Sequence, residues 1–595
     1  SAAPVGRIKL GTESNGGSRF WEPDINGSGG YIFDDRDGSL NLYQHIFSPE
    51  EVGGANNYTT HSRSYNFAFG VRGTFGSSDW DYDAFYSRSQ YNIKDSQLWP
   101  LTDEIEDFFR DQFLGPQLDT YYGYPVYHPD MAGFYQSLTP EQYASFLGEI
   151  KTDSTTWTHN VNFQVTNTSL FTLPAGDVGV AALAQFGRQS WSNPTDQRVI
   201  AGDFWGITGT QGEGERSNAA VGVEFRVPLF TMLTASVSGR YDTYKNIDAG
   251  DDAKATWKLG LEFRPIETLL IRGNYATAFR APDMSYVFAG DSGFFTTATD
   301  YFKCEEAGQD VDDCDFGGVQ VQGRRSGNPD LKSITADSWG YGFVWSPNRK
   351  FDLRADYYNV KIDNEVNDRP LSDILQIENE CRQGRLDANS PDCLSVLGLV
   401  ERNGPNAPIP YAITLIHTSP VNITSEKVAG IIAGTTYRWG GGRQGNFELS
   451  LDYNTTLDHR STLFPGSPEV DYLRQPKESF SSEFKEVLTG DFNWDIGKWS
   501  TNIHGVRYGS SPDLESQNTL GLNRRVAPWV LFNLNIGYDL TKNSNLSLTV
   551  NNVGNRKPPF DRTYNAYPYY NVFNYNGYGR SWFVQYNFDF GASED

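Results

Sequence analysis

The sequence contains no long hydrophobic run. Its mean hydropathy is −0.53 over 595 residues, and no stretch approaches the roughly 18 consecutive apolar residues of a membrane helix. Methionine is rare, with 3 residues, and the sequence lacks the long helical patterns and the Leu-, Ile- and Val-rich segments of a large soluble protein. These absences exclude a helical membrane protein and favour an all-β fold.

Basic residues are scarce relative to acidic ones. Lys and Arg total 49 against 74 for Asp and Glu, so the formal net charge is −25. A nucleic-acid-binding protein needs Lys and Arg clustered on one face, so no nucleic-acid partner is expected. The charge fits a protein with large acidic exposed loops, such as the Asp-rich segments at 248–252 and 310–315.

The four cysteines fall into two local pairs. Cys304 lies close to Cys314, and Cys381 lies close to Cys393. An even number of cysteines in close pairs indicates disulfide bonds within loops and an oxidising compartment. Four free thiols in a reducing cell are the alternative.

What the sequence does contain is an alternating pattern with a period of two. Residues 531–540, LFNLNIGYDL, place Phe, Leu, Ile and Tyr on one face of a strand and Asn, Gly and Asp on the other. About eighteen such segments occur, mostly longer than the roughly 9–11 residues that a tilted strand needs to cross a bilayer. Because only alternate residues of such a strand face lipid, the pattern predicts a transmembrane antiparallel β-barrel.

The connections between these segments alternate between short and long. Residues 264–268 and 541–544 form tight turns, whereas residues 282–335 and 364–408 form very long loops. This asymmetry is typical of outer-membrane barrels, and we expect the long loops to be extracellular. Aromatic residues, 14% of the chain, recur at the ends of the apolar stripes, as interfacial girdles require. A soluble all-β protein is the alternative, but its turns are uniformly short.

Three short helices are predicted in the loops. Thr139, Pro140 and Gln142 form a capping-box signature before a helix at 143–150. Residues 101–113 have apolar residues at helical spacing. Ser372 is a candidate cap for a helix at 373–382, which places Cys381 near the end of that helix.

No pattern supports catalysis or a metal site. Residues 290–293, GDSG, match a serine-protease nucleophile loop in letters, but none of the seven His residues has the motif that a triad needs. Residues 34–38 resemble the start of a calcium loop but lack its twelfth-position Glu, so they are interpreted as a turn. No zinc-ligand spacing occurs. We therefore expect no enzyme activity, no cofactor and no metal.

Crowded aromatic residues in three loops are the best candidates for a ligand-binding surface. Aromatic rings beside Asn and Asp suit sugars, peptides or aromatic chelates. The alternative for any single ring is packing between loops or membership of the outer girdle. The candidates are Tyr121 and Tyr122 in one loop, Phe294, Phe295 and Tyr301 in a second, and Tyr567, Tyr569 and Tyr570 in a third.

Several segments resemble the barrels of TonB-dependent receptors. Residues 274–282, NYATAFRAP, resemble the family's Y-x-x-x-F-R-x-P segment, and residues 327–332, GNPDLK, resemble its N-P-x-L-K-P-E segment. Residues 356–364 look like the strand that follows. Residues 546–559 and 580–590 resemble the last two strands, so the family's order is kept.

The resemblance implies a barrel of 22 strands, of which about 18 lie in this chain, filled by an N-terminal plug. The expected organisation is a loop-rich entry segment inside the barrel at 1–62, the barrel at 63–590 and a tail at 591–595. Plug, partner-binding box and first strands are expected to be absent from these residues. A departure from the family is the tail, because the family usually stops at its final aromatic residue.

Three functions are compatible with these patterns. The first is an outer-membrane receptor that takes up a scarce solute with energy from the TonB complex, which the missing plug would contact. The second is a passive porin, and the third is a non-transporting surface scaffold or adhesin. Expected partners are outer-membrane lipid and lipopolysaccharide, a small-molecule, sugar or peptide ligand, and a surface lipoprotein.

Overall fold

The structure is a computed structural model in which most of the chain beyond residue 58 is described. The described residues are 7–8, 32–34, 39–41, 43–45, 47–54, 58–114, 117–121, 124–127, 131–246, 250–405, 410–462, 469–475, 483–513, 524–564 and 567–590. Among them, no helix has both the length and the apolar character needed to cross a membrane.

Eighteen antiparallel strands form a ring, which confirms the predicted barrel. The barrel strands are numbered in chain order, and neighbours in the ring are neighbours along the chain. They are β1 (Thr59–Thr74), β2 (Trp80–Pro100), β3 (Leu147–Leu173), β4 (Gly176–Asn193), β5 (Gly212–Phe230), β6 (Leu233–Asn246), β7 (Asp252–Ile266), β8 (Leu269–Arg280), β9 (Ile334–Asn348), β10 (Phe351–Asp368), β11 (Pro420–Gly440), β12 (Asn446–Thr462), β13 (Val470–Asp471), β14 (Glu486–Ile496), β15 (Trp499–Tyr508), β16 (Trp529–Thr541), β17 (Ser544–Asn551) and β18 (Ser581–Phe588).

The strand β13 differs from the others because it has only two residues, which pair with Arg460 and Ser461 of β12. Next to it, β12 pairs directly with β14 along most of the length of β14. The barrel wall is therefore built by seventeen long strands, and β13 only extends one edge of β12 at its loop end.

The two faces of the wall follow the predicted alternation. On β7, Trp257, Leu259 and Leu261 are exposed on the apolar face, which in a membrane barrel is the face toward lipid. Lys258 and Glu262 lie on the opposite face, toward the lumen, because successive residues of a strand point to opposite sides. Apolar exposure on this scale would be a liability in water, whereas lipid accommodates it.

The long connections lie at one end of the barrel and the short turns at the other. β7 and β8 are joined through residues 267–268, and β16 and β17 through residues 542–543. At the opposite end, residues 281–333 join β8 to β9 and residues 369–419 join β10 to β11. The predicted asymmetry is confirmed, and the extracellular position of the long side stays a prediction.

The loops contain nine short α-helices among the described residues. They are α1 (Pro49–Val52), α2 (Thr102–Phe109), α3 (Met131–Phe134), α4 (Pro140–Ala144), α5 (Gln197–Ala201), α6 (Met284–Phe288), α7 (Tyr301–Glu306), α8 (Leu371–Arg382) and α9 (Pro391–Leu397). A π-helical turn, Arg110–Leu114, extends α2, so the helix predicted at 101–113 is confirmed with a π-helical end.

The helix predicted at 143–150 is wrong in extent. The capping box is present, because Thr139 and Gln142 exchange side-chain hydrogen bonds with each other's backbone N–H groups. However, α4 ends at Ala144, and β3 begins at Leu147 because residues 147–150 pair with the end of β2. A capping box specifies where a helix starts, whereas its length depends on competing tertiary pairing.

Ser372 does not cap α8, so that prediction is also wrong. The helix begins at Leu371 with Pro370 as its N-cap residue, and Ser372 therefore lies within the first turn. Proline fixes φ near the value needed at a helix start and prevents the helix from extending further back. Cys381 lies near the end of α8, as predicted. Residues 35–38 of the predicted turn at 34–38 lie outside the described residues.

Glycines on the lumenal face allow polar side chains to lie flat against the wall. A Cβ atom added at Gly342 would lie 2.3 Å from the Ala355 carbonyl oxygen and 2.3 Å from Asp356 Oδ1. That carboxylate accepts hydrogen bonds of 2.9 and 2.7 Å from Arg272, which reaches it from β8. Because Gly342 has no side chain, it leaves room for the Arg272–Asp356 ion pair to lie across it.

We therefore expect Gly342→Val to impair barrel assembly. The new side chain must displace backbone of β10, and overpacking of this kind costs about 1–3 kcal/mol or more. The folded fraction of the protein should fall, as measured by heat-modifiable migration of unboiled samples on gels. Gly239→Val is the matched control, since a Cβ at Gly239 meets nothing within 4 Å. Equal folded fractions for the two variants would show that barrel assembly does not depend on the space at Gly342.

Candidate functional site

The two longest loops fold together into one unit, which we call the cap (described residues of 292–325 and 369–418). Its sheet has four short strands in the order Ser292–Ala298, Val319–Arg325, Ile413–Thr418 and Val400–Arg402. The helices α8 and α9 cover this sheet, and the shared core includes Val321, Ile374, Leu375 and Ile416. The cap is therefore an ordered unit with its own core at the long-loop end of the barrel.

Both disulfide bonds lie within the cap. Cys304 is bonded to Cys314 and Cys381 to Cys393, with Cα–Cα distances of 5.6 and 5.7 Å, which confirms the predicted pairing. In the chain-entropy model, each short closed loop contributes about 2–3 kcal/mol to stability. Cys381 and Cys393 also join α8 to α9, so this bond ties the two helices that cover the cap sheet.

A buried arginine connects the two loops that form the cap. The Arg402 guanidinium donates to Asp300 at 2.8 and 2.9 Å and to Glu378 at 2.6 and 2.7 Å. It also donates to the Tyr411 carbonyl at 2.8 Å, so all five N–H donors are used. Burial alone would lower the pKa of Arg402, but its hydrogen bonds with Glu378 and Asp300 raise that pKa overall.

The aromatic candidates in the cap are mostly packed against other cap residues. Phe294 lies over Gly323, where an added Cβ would be 2.0 Å from its ring. The Tyr301 hydroxyl accepts a 3.0 Å hydrogen bond from Gln376, and the Tyr301 side chain packs against the cap core. Phe295 is the exposed ring of the three predicted candidates. These contacts match the alternative in which rings pack loops together, except at Phe295.

The candidates Tyr121 and Tyr122 lie in another loop. Tyr121 ends a short strand, Gln117–Tyr121, which forms a hairpin with Tyr124–Tyr127, and Tyr121 pairs with Tyr124. Tyr122 lies outside the described residues. The structure therefore places the backbone of Tyr121 at the end of a hairpin strand, and a role of Tyr121 and Tyr122 in ligand binding stays a prediction.

Residues 554–580, which precede β18, form what we call the aromatic loop. Its Tyr575 ring is buried against Trp529 and Phe484, with ring centroids 5.5 and 5.6 Å apart. Trp529 occupies the same face of β16 as Asn533, because the two are separated by an even number of residues, and that face is the lumenal one. The aromatic loop is thus anchored over the inner side of the barrel mouth.

Asparagine side chains hold the backbone of the aromatic loop. The Asn571 side chain accepts from the Phe573 N–H at 2.9 Å, and the Asn576 side chain accepts from the Tyr578 N–H at 2.9 Å. Asn555 accepts from the Arg580 N–H at 3.1 Å. The bonds of Asn571 and Asn576 are Asx turns, which satisfy backbone N–H groups locally.

The aromatic rings that project are strongly exposed. The exposed fraction is 88% for Tyr567, 92% for Tyr578 and 65% for Phe573. Tyr567 and Tyr569 have ring centroids 6.4 Å apart in an edge-to-face arrangement. Beside them, Tyr570 and Phe573 line an open cavity of about 630 Å³. Tyr567 and Tyr569 therefore lie side by side, Tyr570 lines the cavity with Phe573, and the role of these three residues in ligand binding stays a prediction.

The aromatic loop is also basic, a feature that the sequence interpretation missed. Arg556, Lys557, Arg562 and Arg580 are exposed, and Asp561 is the single acidic residue of the loop. Burial raises the pKa of the Asp561 carboxyl. In a chain of net charge −25, a local count of charged residues over 554–580 would have revealed this cationic region.

The lumenal wall is polar along the middle of the barrel. Arg272 pairs with Asp356, and the neighbouring Arg354 pairs with Asp452 at 2.5 Å. Lys258 and Asn274 line the same open recess, which has a volume of about 440 Å³. A wall of this kind suits water or polar protein rather than an apolar ligand. Among the described residues, no group of His, Cys, Asp and Glu is arranged to hold a metal ion.

A family model for the TonB dependent receptor-like β-barrel matches residues 14–553. The chain belongs to this family. Its members are outer-membrane, multi-pass β-barrels that act as receptors and transporters for scarce solutes such as siderophores. The protein is accordingly an outer-membrane β-barrel of a receptor family rather than of an enzyme family.

Several solved receptor structures are similar to this chain. The siderophore receptor PirA from Acinetobacter baumannii is 12% identical, with a TM-score of 0.54, and the match covers 89% of this chain and 62% of that one. The ferric-catecholate import receptor Fiu from K12 E. coli is 12% identical, with a TM-score of 0.47 and coverages of 90% and 65%. The chain therefore spans less than two thirds of the length of these relatives. No curated protein matches the sequence.

Proposed function

We propose that this TonB-dependent receptor barrel imports a scarce, anionic or polar aromatic solute, which first binds at the aromatic loop. The observation that carries the proposal is the combination of exposed rings and exposed basic side chains in the aromatic loop, which is anchored over the lumenal side of the mouth. Tyr567, Tyr569 and Phe573 offer faces for stacking, and Arg562 lies within the same loop. Rings and cations together favour planar or anionic ligands.

The charge distribution favours this ligand class over a cationic one. The chain as a whole is strongly acidic, so a cation would be attracted to many surfaces. An anion meets favourable potential at the aromatic loop, where basic residues outnumber acidic ones. A solved structure of the same fold is that of the siderophore receptor PirA from Acinetobacter baumannii. A metal chelate with aromatic groups is therefore the first ligand to test.

Energised import is part of the same proposal. A barrel of this width is too wide to be filled by its own side chains, and its lumenal wall carries ion pairs such as Arg272–Asp356 that suit a polar protein plug. We infer that such a plug occupies the lumen and that it couples solute release to the TonB complex. Outer-membrane lipid, lipopolysaccharide and a surface lipoprotein stay predicted partners.

The test is uptake by cells that carry the complete gene, its deletion, or loop variants. Radioiron-labelled ferric enterobactin and a panel of other ferric siderophores serve as probes, with labelled maltodextrin as a neutral comparison. Removing two exposed rings, with Tyr567→Ala and Tyr578→Ala combined, should weaken probe binding to cells about 5- to 150-fold. This range corresponds to about 0.5–1.5 kcal/mol for each ring.

The control is Tyr135→Ala, which removes an exposed ring from a different loop. It should leave both binding and uptake unchanged. If the deletion strain takes up every ferric probe as well as the parent strain does, or if the loop variant behaves like the control, the proposed ligand class is wrong.

A further inference from the structure

The short turns of the barrel fall into two groups of opposite charge. Between β1 and β8, the turns at 75–79, 174–175, 231–232 and 267–268 contain Asp79 and Glu267 and no basic residue. Between β9 and β17, the turns at 349–350, 441–445, 497–498 and 542–543 contain no acidic residue. We call the basic residues of this second group the basic rim (Arg349, Lys350, Arg443, Lys498 and Lys542).

The positive charge of the basic rim is available to a partner. All five side chains are exposed, and in the part of the chain that the structure describes none of them forms an ion pair with a carboxylate. The nearby acidic residues Asp352 and Glu448 lie on the lumenal face, because even numbers of residues separate them from Arg354 and Asp452 of the lumenal wall. Glu448 is also paired there, since it accepts a 2.6 Å hydrogen bond from Arg438.

A continuous row of aromatic rings lies on the lipid face beside the basic rim. Phe351 and Phe447 face lipid, because odd numbers of residues separate them from the lumenal Arg354 and Asp452. Successive ring centroids are 5.8, 6.5, 5.3, 5.4 and 6.0 Å apart across β9, β10, β11, β12 and β14. We call these rings the aromatic row (Trp345, Phe351, Tyr437, Trp439, Phe447 and Trp494).

Direct contacts connect the rings to the basic turns. The Trp494 Nε1–H donates a 3.0 Å hydrogen bond to the Gln444 carbonyl, which lies in the same turn as Arg443. In the next turn, the Lys498 ammonium lies 6.0 Å from the centroid of the Tyr538 ring, and that ring packs against Trp499 at 4.5 Å. Exposed cations and lipid-facing rings therefore form one continuous surface along this part of the barrel end.

We infer that the basic rim and the aromatic row bind anionic phospholipid headgroups in the leaflet at the short-turn end of the barrel. Tyr and Trp rings lie at the headgroup level of a bilayer, so basic side chains that border the aromatic row are at the depth of lipid phosphates. An aromatic girdle alone accounts for the rings, but it does not account for basic turns on one half of the rim and acidic turns on the other. An acidic protein partner would match the charges, but it would not need rings on the lipid face.

Photolabelling with lipid probes tests this inference without knowledge of the transported solute. The complete protein is reconstituted in phosphatidylcholine vesicles that contain a trace of phosphatidylglycerol or phosphatidylcholine carrying a diazirine near the headgroup, and labelled peptides are identified by mass spectrometry. Each Lys or Arg beside an anionic lipid favours its binding by about fivefold. We therefore expect the anionic probe to label the basic rim and the aromatic row about 5- to 25-fold more than the zwitterionic probe does, since one headgroup contacts one or two basic side chains.

Two variants with the same change in net charge separate a local site from a general charge effect. The rim variant combines Arg349→Gln, Lys350→Gln, Arg443→Gln, Lys498→Gln and Lys542→Gln, and it should label equally with the two probes. The matched control combines Lys94→Gln, Lys151→Gln, Lys245→Gln, Lys332→Gln and Arg385→Gln, which are exposed residues toward the long-loop end. This control should keep the preference for the anionic probe at the short turns.

Equal labelling of the unmodified protein by the two probes would overturn the inference and favour an acidic protein as the partner of the basic rim. A preference that survives in the rim variant would also overturn it, as would equal anionic labelling of the turns between β1 and β8. If the rim variant does not fold, Arg349→Gln combined with Lys350→Gln gives the same test at one turn. Both leaflets of these vesicles have the same composition, so the result depends neither on the orientation of the barrel nor on the solute that it imports.

Discussion

Replacing Arg402 by Met should open the cap while leaving the barrel wall intact. The side chain of Arg402 is 3% exposed, and its partners Asp300 and Glu378 are 3% and 0% exposed. Removing the guanidinium leaves two buried carboxylates without their main partner. Breaking a buried ion pair from one side typically costs about 3–5 kcal/mol.

The loss of stability should be greatest around Asp300. Glu378 keeps a second partner, because Arg382 donates to it at 2.5 Å. Within the described part of the chain, the Asp300 carboxylate would keep a 3.2 Å hydrogen bond from the Lys303 N–H. Since Asp300 is the N-cap residue of α7, we expect α7 and the adjoining strand Ser292–Ala298 to open before α8 does.

Hydrogen–deuterium exchange of the purified barrel measures this effect. A loss of about 3–5 kcal/mol corresponds to roughly hundred- to several-thousand-fold faster exchange of cap amides, with unchanged exchange in β7 and β8. Arg385→Gln is the matched control, because Arg385 forms exposed ion pairs with Glu305 and Glu380 and should have little effect. If cap amides of Arg402→Met exchange at the same rate as those of the control, the ion pairs of Arg402 with Asp300 and Glu378 do not stabilise the cap.

The barrel could be predicted from the sequence because its signal is local. The alternation at 531–540 predicted β16 to within two residues, since each residue of a membrane strand faces either lipid or the lumen. The grouping of Tyr567, Tyr569 and Tyr570 was equally accessible, because these residues are adjacent along the chain. The helix at 143–150 failed because pairing of β3 with β2 overrides a local helix preference.

Other features depend on residues that are distant in sequence. Arg402 reaches Asp300 across 102 positions and Glu378 across 24 positions, and nothing near Arg402 marks it as buried. That β13 does not span the wall depends on the direct pairing of β12 with β14, which lie more than twenty residues apart along the chain. Neither fact can be read from periodicity.

The largest functional difference predicted is between a plugged receptor and an open pore. A wide barrel with a polar lumenal wall conducts ions steadily if it contains water, as porins do. If a plug fills the lumen, the same barrel has no continuous aqueous path. The two states therefore differ by the presence or absence of a conducting channel rather than by a small change in affinity.

Conductance of the complete protein, purified from outer membranes and reconstituted in planar bilayers in potassium chloride, tests the proposed import function most directly. The expected result is the absence of a steady open channel, with conductance appearing only when denaturant unfolds the plug inside the intact barrel. A general porin in the same bilayers is the positive control. Large, steady conductance of the untreated protein would contradict the receptor proposal and identify the protein as a passive pore.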